Sequence, residues 1–276
     1  MITNQEIGYN GRLGNQMFQY AVLLNLACKL NTDVVLPLKN NNIKPDGCFD
    51  YSVNNWIPYK LDLYDCFNIT SVQSNNIDIK YIYKEPYFNY SDTINSVIDG
   101  TSVQGYFQSD KYFINSKEKV LSEFVFKDTI EIEANSFINN IKSNVDGREI
   151  VGIHVRRGDA VVNPNFHLLN VEYFVSCITK YFTDTEYAFV FISDDIQWCK
   201  NTFDSADNVF FTGKSSFVDL SIMSKCDHNI ISNSSYSWWG AYLNKNKNKK
   251  IISPSKWFKN ESIIMKDLYC KDWIIE

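Results

Sequence analysis

Two adjacent arginines end an apolar run near the middle of the chain, in the order His154-Val155-Arg156-Arg157-Gly158-Asp159. A guanidinium presents a planar fork of N–H donors that fits a phosphate or a carboxylate, and it stays charged at any working pH. Two such groups at the end of a buried strand are costly unless they meet anions. The alternative is that one arginine pairs with Asp159 while the other is solvated, but this leaves His154 unexplained. The pattern favours an anion site.

A run of small hydroxyl residues forms a second candidate, where a predicted strand gives way to a predicted helix: Ser232-Asn233-Ser234-Ser235-Tyr236-Ser237-Trp238-Trp239-Gly240. The first turn of a helix presents backbone N–H groups and the positive end of the helix dipole, which together attract anions. The alternative is a plain helix cap by Asn233 or Ser234.

A loop with two glycines near the start of the chain is a third candidate: Gly11-Arg12-Leu13-Gly14-Asn15-Gln16. Glycine lets a backbone approach a ligand closely. The spacing differs from the G-x-G-x-x-G of dinucleotide-binding folds, and no G-x-x-x-x-G-K-[ST] occurs. The loop therefore argues for a ligand contact but against NAD and against a P-loop nucleotide site.

Three aspartates lie at predicted helix starts, namely Asp194, Asp195 and Asp219. Helix capping is the ordinary role of such residues. The functional alternative for Asp219 is recognition of guanine, whose N1–H and N2–H₂ groups suit a carboxylate acceptor, and for the other two it is a donor contact. The sequence holds no Asp-x-Asp triplet, which metal-dependent sugar transferases typically carry. We therefore expect no metal ion, with arginines and a helix N-terminus stabilising a departing diphosphate instead.

These candidates fall between alternating strand and helix patterns, which predict an α/β fold with a parallel sheet. In the second half, the predicted strands are 150–155, 187–192, 209–211, 229–232 and 250–253, and the predicted helices are 171–182 (capped by Asn170), 196–202, 217–226 and 234–243. In the first half, the predictions are a strand at 7–10, helices at 16–30, 111–126 and 130–143, a strand at 33–36, and loops with short elements over 38–100.

A polar, turn-rich stretch at 144–148 predicts a domain boundary, which gives domains 1–146 and 147–276. Ligands of open α/β sheets bind at the carboxyl ends of the strands. The loops 10–15, 156–159, 193–195 and 233–235 are therefore the expected site.

The composition is that of a weakly acidic globular protein of 276 residues, with a net charge of -5. This charge argues against nucleic acid as a partner. Seven scattered cysteines without a Cys-x-x-Cys pair indicate reduced thiols, and the first residues do not resemble a signal peptide. No apolar run approaches the roughly 20 residues that span a bilayer. We expect a cytoplasmic protein, for which peripheral contact with the inner face of the plasma membrane stays open.

Taken together, these blocks resemble the α-1,2-fucosyltransferases of glycosyltransferase family 11. The G-N-Q-M-F-Q-Y and S-x-S-W-W-G-A blocks are specific to that family, whereas H-x-R-R-x-D is shared with α-1,6- and protein O-fucosyltransferases. Order and spacing match along most of the chain, with a weak match over 38–100. The matching blocks are Gly11-Arg12-Leu13-Gly14-Asn15-Gln16-Met17-Phe18-Gln19-Tyr20-Ala21, His154-Val155-Arg156-Arg157-Gly158-Asp159, Ser193-Asp194-Asp195 and Ser232-Asn233-Ser234-Ser235-Tyr236-Ser237-Trp238-Trp239-Gly240-Ala241.

The resemblance implies two Rossmann-like domains that face each other across a cleft, the GT-B arrangement, with acceptor binding in the N-terminal domain and GDP-fucose binding in the C-terminal one. It also implies inverting transfer of L-fucose from GDP-β-L-fucose to the 2-hydroxyl of a terminal β-galactose, without a metal or other cofactor. A bacterial enzyme acting on a lipid-linked glycan precursor, as in O-antigen assembly, is compatible with this activity.

By the same resemblance, Arg156 holds the β-phosphate with Arg157 in support. The remaining donor contacts implied are His154 and Asp219 to guanine, Ser234 and Ser235 to the phosphates, Gly14, Asn15 and Gln16 from the N-terminal domain, and Asp194 and Asn233. The general base does not carry over, and Asp159 and His167 are the local candidates. The alternatives are an α-1,6-type transferase and a non-catalytic glycan- or nucleotide-binding protein on the same fold.

Overall fold

The computed structural model describes residues 1–38, 47–50, 54–58, 60–183, 186–204 and 206–276. The described residues form two compact units. The first comprises parts of Met1–Asp50 and Asn54–Lys127 together with Ser262–Cys270, and the second comprises Asp128–Glu261 and Lys271–Glu276. None of the described helices is long and apolar enough to cross a membrane.

The first unit holds short strands and a long buried helix. Its strands are β1 (Val35–Pro37), β2 (Gly47–Asp50), β3 (Asn55–Pro58), β4 (Val72–Ser74), β5 (Tyr81–Lys84) and β6 (Thr101–Gln104). Its α-helices are α1 (Leu13–Leu30), α2 (Leu63–Cys66) and α3 (Lys117–Glu123), and 3₁₀ turns cover Asp92–Ser96, Asp110–Tyr112 and Ile114–Ser116.

Two residues at the start of the chain join the parallel strands of this unit. β1 pairs with β4 and β5 pairs with β6, both in parallel. Ile2 bridges to Val34 and Thr3 bridges to Ser102, again in parallel. The described strands therefore follow the order β4, β1, residues 2–3, β6, β5, so that their carboxyl ends share one edge.

The predicted strand at 7–10 is wrong, because these residues form turns. Ile7 and Tyr9 are buried, which imitates the alternation of a strand. However, Gly8 and Gly11 have φ of 86° and 103°, which extended strands do not use. The backbone N–H of Tyr9 donates to the carbonyl of Glu6 within a turn (3.0 Å). The residues that pair with the strands are Ile2 and Thr3, at the very start of the chain.

The predicted helix at 16–30 is confirmed, but it begins three residues earlier, at Leu13. It ends at Leu30, and Asn31 follows in the left-handed conformation. The predicted strand at 33–36 corresponds to β1, which ends at Pro37. The predicted helix at 111–126 is wrong over its first half, where 3₁₀ turns precede the short α3. Of the predicted loop region 38–100, residues 39–46, 51–53 and 59 lie outside the described part; the remainder contains short elements, as expected.

The second unit is built on a six-stranded parallel sheet, in the order β12-β11-β10-β7-β8-β9. Its strands are β7 (Glu149–Val155), β8 (Tyr187–Ser193), β9 (Val209–Phe211), β10 (His228–Ile230), β11 (Ile251–Ser253) and β12 (Ile274–Ile275). Its helices are α4 (Asp128–Asn144), α5 (Gly158–Val162), α6 (Val171–Tyr181), α7 (Ile196–Phe203), α8 (Ser216–Lys225) and α9 (Ser235–Tyr242).

The predicted α/β alternation is confirmed in this unit, including the N-cap of α6, where Asn170 accepts from Tyr173 N (3.2 Å). β7 and β8 are almost entirely apolar and buried, as expected for parallel strands covered on both faces. Two elements were not predicted: the short helix α5 directly after the arginines, and β12 at the chain end. β10 also ends two residues before the predicted 232.

The division into units differs from the predicted 1–146 and 147–276 in two places. Helix α4 groups with the second unit, where Glu133 pairs with Lys214 (2.9 Å) and Glu131 pairs with Lys225 of α8. The segment Ser262–Cys270 groups with the first unit, although it lies late in the chain.

Candidate active site

The arginine pair lies at the carboxyl end of β7, between β10 and β8 in the sheet. This is the edge at which open parallel sheets bind ligands. Arg156 and Arg157 are both half-buried, with side chains 15% and 20% exposed. The sheet therefore fixes two positive charges in a restricted space.

Arg156 is held on three sides. Its Nε and Nη2 donate to the two carboxylate oxygens of Asp159 (3.1 and 2.8 Å), and its Nη1 donates to the carbonyl of Asn233 (2.9 Å). The guanidinium carbon lies 4.0 Å from the ring centre of Phe166, a cation–π contact. These bonds use three of the five N–H donors of the side chain, and two remain for an anion.

Arg157 is held in a similar way by the next strand. Its Nε pairs with Asp195 (3.3 Å), and its guanidinium lies 4.0 Å from the ring centre of Trp198 on α7. Its backbone N–H donates to Asp194 (2.8 Å). A Cβ at Gly158 would lie 2.5 Å from a carboxylate oxygen of Asp194, so a larger residue here would displace that side chain. Burial raises the pKa of Asp194, while the amides of Arg157 and Gly158 oppose the shift.

The hydroxyl run opens helix α9, as predicted, with Ser234 at the N-cap position. Its side chain makes no capping bond there, so the alternative of a plain serine cap is not what the structure shows. Asn233 does not cap either, since its buried amide donates to the carbonyls of His167 (2.7 Å) and Trp257 (2.8 Å). The side chain of Asn233 thus ties three loops together, and its own carbonyl holds Arg156.

His154 lies inside the sheet, two residues before Arg156, and is almost fully buried. Burial, with the charge of Arg156 adding to it, lowers the pKa of His154 to about 3, so the imidazole is neutral. Its Nδ1 lies 2.6 Å from the hydroxyl of Ser232, and its ring lies 5.3 Å from that of Tyr236. The hydroxyl of Tyr236 donates to the carbonyl of Ser216 in the first turn of α8. Tyr236 therefore links His154 to the helix that carries Asp219.

Asp219 is buried in the first turn of α8, and its Oδ1 has no hydrogen-bond partner within the described part of the chain. Burial raises the pKa of this carboxyl to about 7, and the neighbouring Thr212 hydroxyl opposes the rise. A solvated helix-capping carboxylate would show neither feature. An unpaired buried acceptor is costly, so Asp219 stays a candidate for contact with a ligand, and that contact stays a prediction.

The two candidate bases differ in their surroundings. Both oxygens of Asp159 accept from Arg156, so this carboxylate is engaged in positioning the arginine. His167 is half-buried on the loop that follows α5, and its backbone is tied to Trp257 and Asn233. The assignment of either residue as the base stays a prediction.

Gly14, Asn15 and Gln16 lie in the first unit, at the start of α1. Asn15 accepts from the side chain of Gln108 (2.8 Å), and Gln16 donates to the carbonyl of Lys60 (2.9 Å). These side chains stabilise the loop from within the first unit, and their contact with a donor stays a prediction.

Sequence reasoning missed three aromatic residues of the site: Phe166, Trp198 and Tyr236. Phe166 and Trp198 form the surfaces on which the guanidiniums lie, and a single sequence carries no signal for such pairs because the partners lie 10 and 41 positions away. Tyr236 stands inside the quoted hydroxyl run, so its position alone could have suggested it.

The described residues contain no group of three or more His, Cys, Asp or Glu side chains arranged to hold a metal ion. At this edge, positive potential comes from the two guanidiniums and from the partial positive charge of the first turn of α9. The arrangement can bind a diphosphate and stabilise negative charge that develops on it.

The chain is similar to known proteins in sequence and in fold. The chain is 32% identical to an α-1,2-colitosyltransferase of Escherichia coli, covering 96% of each chain, and 29% identical to the O-antigen biosynthesis glycosyltransferase WbnK of Escherichia coli, covering 90% of this chain and 93% of the relative. Its fold is similar to that of the α-1,6-fucosyltransferase NodZ from Bradyrhizobium, solved after soaking with GDP-fucose, at a TM-score of 0.54 and 13% identity, covering 88% of this chain and 91% of NodZ. The family description Glycosyl transferase family 11 matches residues 2–276. The chain, with its arginine pair and serine-rich helix start, therefore belongs to glycosyltransferase family 11 and is a glycosyltransferase of the fucosyltransferase type.

Proposed function

We propose that the chain transfers L-fucose from GDP-β-L-fucose to the 2-hydroxyl of a terminal β-galactose, with inversion at the fucose C1. The observation that carries this proposal is the pair of half-buried guanidiniums beside the first turn of α9. Relatives named α-1,2-fucosyltransferases and α-1,2-colitosyltransferase support the linkage, and the fold shared with NodZ supports a GDP-sugar donor.

The diphosphate of the donor binds to Arg156, Arg157 and the amides at the start of α9, including those of Ser234 and Ser235. Arg156 keeps two N–H donors for the β-phosphate while its other three hold Asp159 and Asn233. The pre-formed contacts matter because a donor fixed before the reaction costs no reorganisation when charge develops. Asn233 and Asp194 act by positioning this edge rather than by contact with the donor.

The guanine base binds between α8 and α9. Ionised Asp219 accepts from the N1–H and N2–H₂ groups of guanine through its two carboxylate oxygens, of which Oδ1 has no partner among the described residues. His154, which is neutral, and Tyr236 border the same region. This arrangement discriminates against adenine, which presents an acceptor at N1 where guanine presents a donor.

In the transfer step, the acceptor oxygen forms a bond to the fucose C1 on the face opposite to GDP, and the bond from C1 to the phosphate oxygen breaks. The bonding electrons leave with GDP, and the hydroxyl proton leaves to a base, either His167 or Asp159. Because both oxygens of Asp159 already accept from Arg156, His167 is the better candidate. The step needs no metal ion, since the guanidiniums meet the charge on the leaving group.

The complete enzyme follows the GT-B arrangement in this proposal, with the loop that carries Gly14, Asn15 and Gln16 contacting the donor from the first unit. Product analysis tests the activity: GDP-fucose is offered with lactose, lacto-N-biose and N-acetyllactosamine, and the linkage is read by NMR. An α-1,2-fucosylated product is expected. An α-1,6 linkage, or failure of GDP to raise the melting temperature, would overturn the proposal.

A second candidate is transfer of colitose, because the relative that is 32% identical over 96% of this chain carries that activity in its name. Colitose is the 3-deoxy counterpart of L-fucose, so a site that hydrogen-bonds the 3-hydroxyl distinguishes the two sugars strongly. Comparing kcat/KM for GDP-fucose and GDP-colitose with one acceptor decides between them.

A further inference from the structure

The first unit contains a groove that takes no part in the proposed donor site. It has a volume of about 460 Å³, within the range of small-molecule sites. It is lined by Tyr87, Phe88, Asn89, Ser262, Ile263 and Ile264.

One wall of the groove follows β5, at the carboxyl-end edge of the strands in this unit. This wall contains Tyr87, Phe88 and Asn89, and the chain just beyond it is fixed in place. The backbone N–H of Ser91 donates to the hydroxyl of the buried Tyr112 (3.1 Å), and the ring of Tyr90 packs against that of Tyr112 (4.9 Å). The wall is therefore held by the 3₁₀ turn Asp110–Tyr112.

The other wall begins the late segment Ser262–Cys270, and the same 3₁₀ turn holds it. Lys111 pairs with the buried Asp267 (2.5 Å), and Cys270 hydrogen-bonds to Asp110. Leu268 of this segment is buried in the unit. One turn thus anchors the chain that continues from each of the two walls.

The lining of the groove suits an uncharged, partly apolar ligand. Tyr87 and Ile264 are both 56% exposed, which is unusual for large apolar side chains grouped in a concave surface. Asn89 and Ser262 add an amide and a hydroxyl, and none of the six lining residues is charged. A nucleotide diphosphate would find no cation among them, whereas a sugar can pack its C–H face on the aromatic ring and hydrogen-bond to the polar side chains.

We infer that this groove, which we call the acceptor groove, binds the β-galactoside acceptor, with Tyr87 packing against a sugar ring. The inference rests on the proposed function, which supplies the class of ligand. The position after β5 agrees with it, because ligands of parallel sheets bind at the carboxyl ends of strands.

A matched pair of substitutions tests the groove. Ile264→Trp fills it, whereas Ile82→Trp places the same bulk at a comparably exposed position on β5 (61%) that does not line it. We expect Ile264→Trp to raise the KM for lactose or N-acetyllactosamine about tenfold or more, and Tyr87→Ala to do the same, as one aromatic packing partner is lost. Ile82→Trp is expected to leave KM unchanged. GDP binding and the hydrolysis of GDP-fucose without acceptor are expected to be equal in all variants.

Saturation-transfer NMR with lactose gives a direct readout that does not depend on turnover. Contact signals that are present in the wild type and in Ile82→Trp, but lost in Ile264→Trp, support the groove. Unchanged KM and unchanged lactose signals in both groove variants overturn it, even if GDP binds normally. If GDP itself fails to bind the wild type, the proposed function fails, and the NMR comparison still decides whether the groove binds a galactoside.

Discussion

The edge of the six-stranded sheet and the acceptor groove are organised by different forces. At the sheet edge, each arginine is paired with an aspartate and stacked on an aromatic ring. Electrostatic contacts therefore hold the two guanidiniums in place. In the groove, an uncharged lining is held in place from behind by one 3₁₀ turn.

This contrast matches the two substrates proposed. A diphosphate is strongly hydrated, and a site for it must replace that hydration with fixed positive charge. A neutral sugar needs shape, an aromatic surface and a few hydrogen bonds. Changes at the sheet edge are therefore expected to affect the donor and the transition state, and changes in the groove only the acceptor.

The largest effect is expected from Arg156→Lys, which keeps the charge but removes the planar fork that holds Asp159 and Asn233. We expect a loss of about 2–4 kcal/mol of transition-state stabilisation, roughly 30- to 1,000-fold in kcat, the range for one electrostatic donor. The measurement is kcat at saturating donor and acceptor. Arg148→Lys, next to the amino end of the same strand, is the matched control and should behave as the wild type. Near-normal turnover in Arg156→Lys would remove this residue from the mechanism.

A smaller and more selective effect is expected from Asp219→Asn. The contact with guanine is the same in the ground and transition states, so the variant should bind GDP more weakly while kcat at saturation changes little. We expect a loss of about 1.5–3 kcal/mol in GDP affinity, as for a hydrogen bond to a charged group, and weaker discrimination between GDP and ADP. Calorimetry measures both, with Asp128→Asn at the exposed start of α4 as the control. Unchanged GDP affinity would rule out the guanine contact.

The pH dependence of binding separates the two regions further, because burial raises the pKa of one carboxyl in each to about 7. These carboxyls are the buried Asp219 in the second unit and the half-buried Glu85 in the first. A carboxyl that must accept from guanine has to be ionised. GDP-fucose, unlike GDP, carries no terminal phosphate that titrates near this pH. Its affinity should therefore be full well above pH 7 and fall by up to tenfold per pH unit below it. Asp219→Asn should abolish this dependence, whereas Glu85→Gln, which alters the carboxylate that accepts from Tyr106 and Phe107 N–H, should leave it intact. A flat profile in the wild type would contradict the guanine contact.

The same contrast explains how much the sequence could predict. β7 and β8 are buried on both faces and read as continuous apolar runs, so the strands, the alternating helices and the position of the arginines were predictable. In the first unit, the central strand amounts to Ile2 and Thr3, too short for any periodicity to detect. The segment Ser262–Cys270 joins that unit through Asp267 and Leu268, a long-range choice that local pattern does not encode.

Within the site, the types of residue were predictable from the sequence, but the partners that their side chains contact were not. The sequence indicates that Asn233 stands at a helix start, yet its side chain turns away to the carbonyls of His167 and Trp257. Likewise, Asp159 was a candidate base, and the structure engages both of its oxygens with Arg156. Such competition between partners depends on which loops the sheet brings together, and it becomes visible only in three dimensions.

The smallest effect is expected from removing divalent metal ions. The adjacent carboxylates at the end of β8 are already engaged, since Asp194 accepts from Arg157 N and Asp195 pairs with the Arg157 guanidinium. The guanidiniums and the first turn of α9 supply fixed positive charge for the leaving GDP, so no ion need bind first. Transfer in excess EDTA should therefore run close to the rate with Mg²⁺ or Mn²⁺. Free Mg²⁺ binds released GDP and relieves product inhibition, so a phosphatase that removes GDP is included in both assays. Complete loss of activity in EDTA, restored by one specific divalent ion, would contradict the metal-free mechanism and make Asp194 and Asp195 candidate ligands.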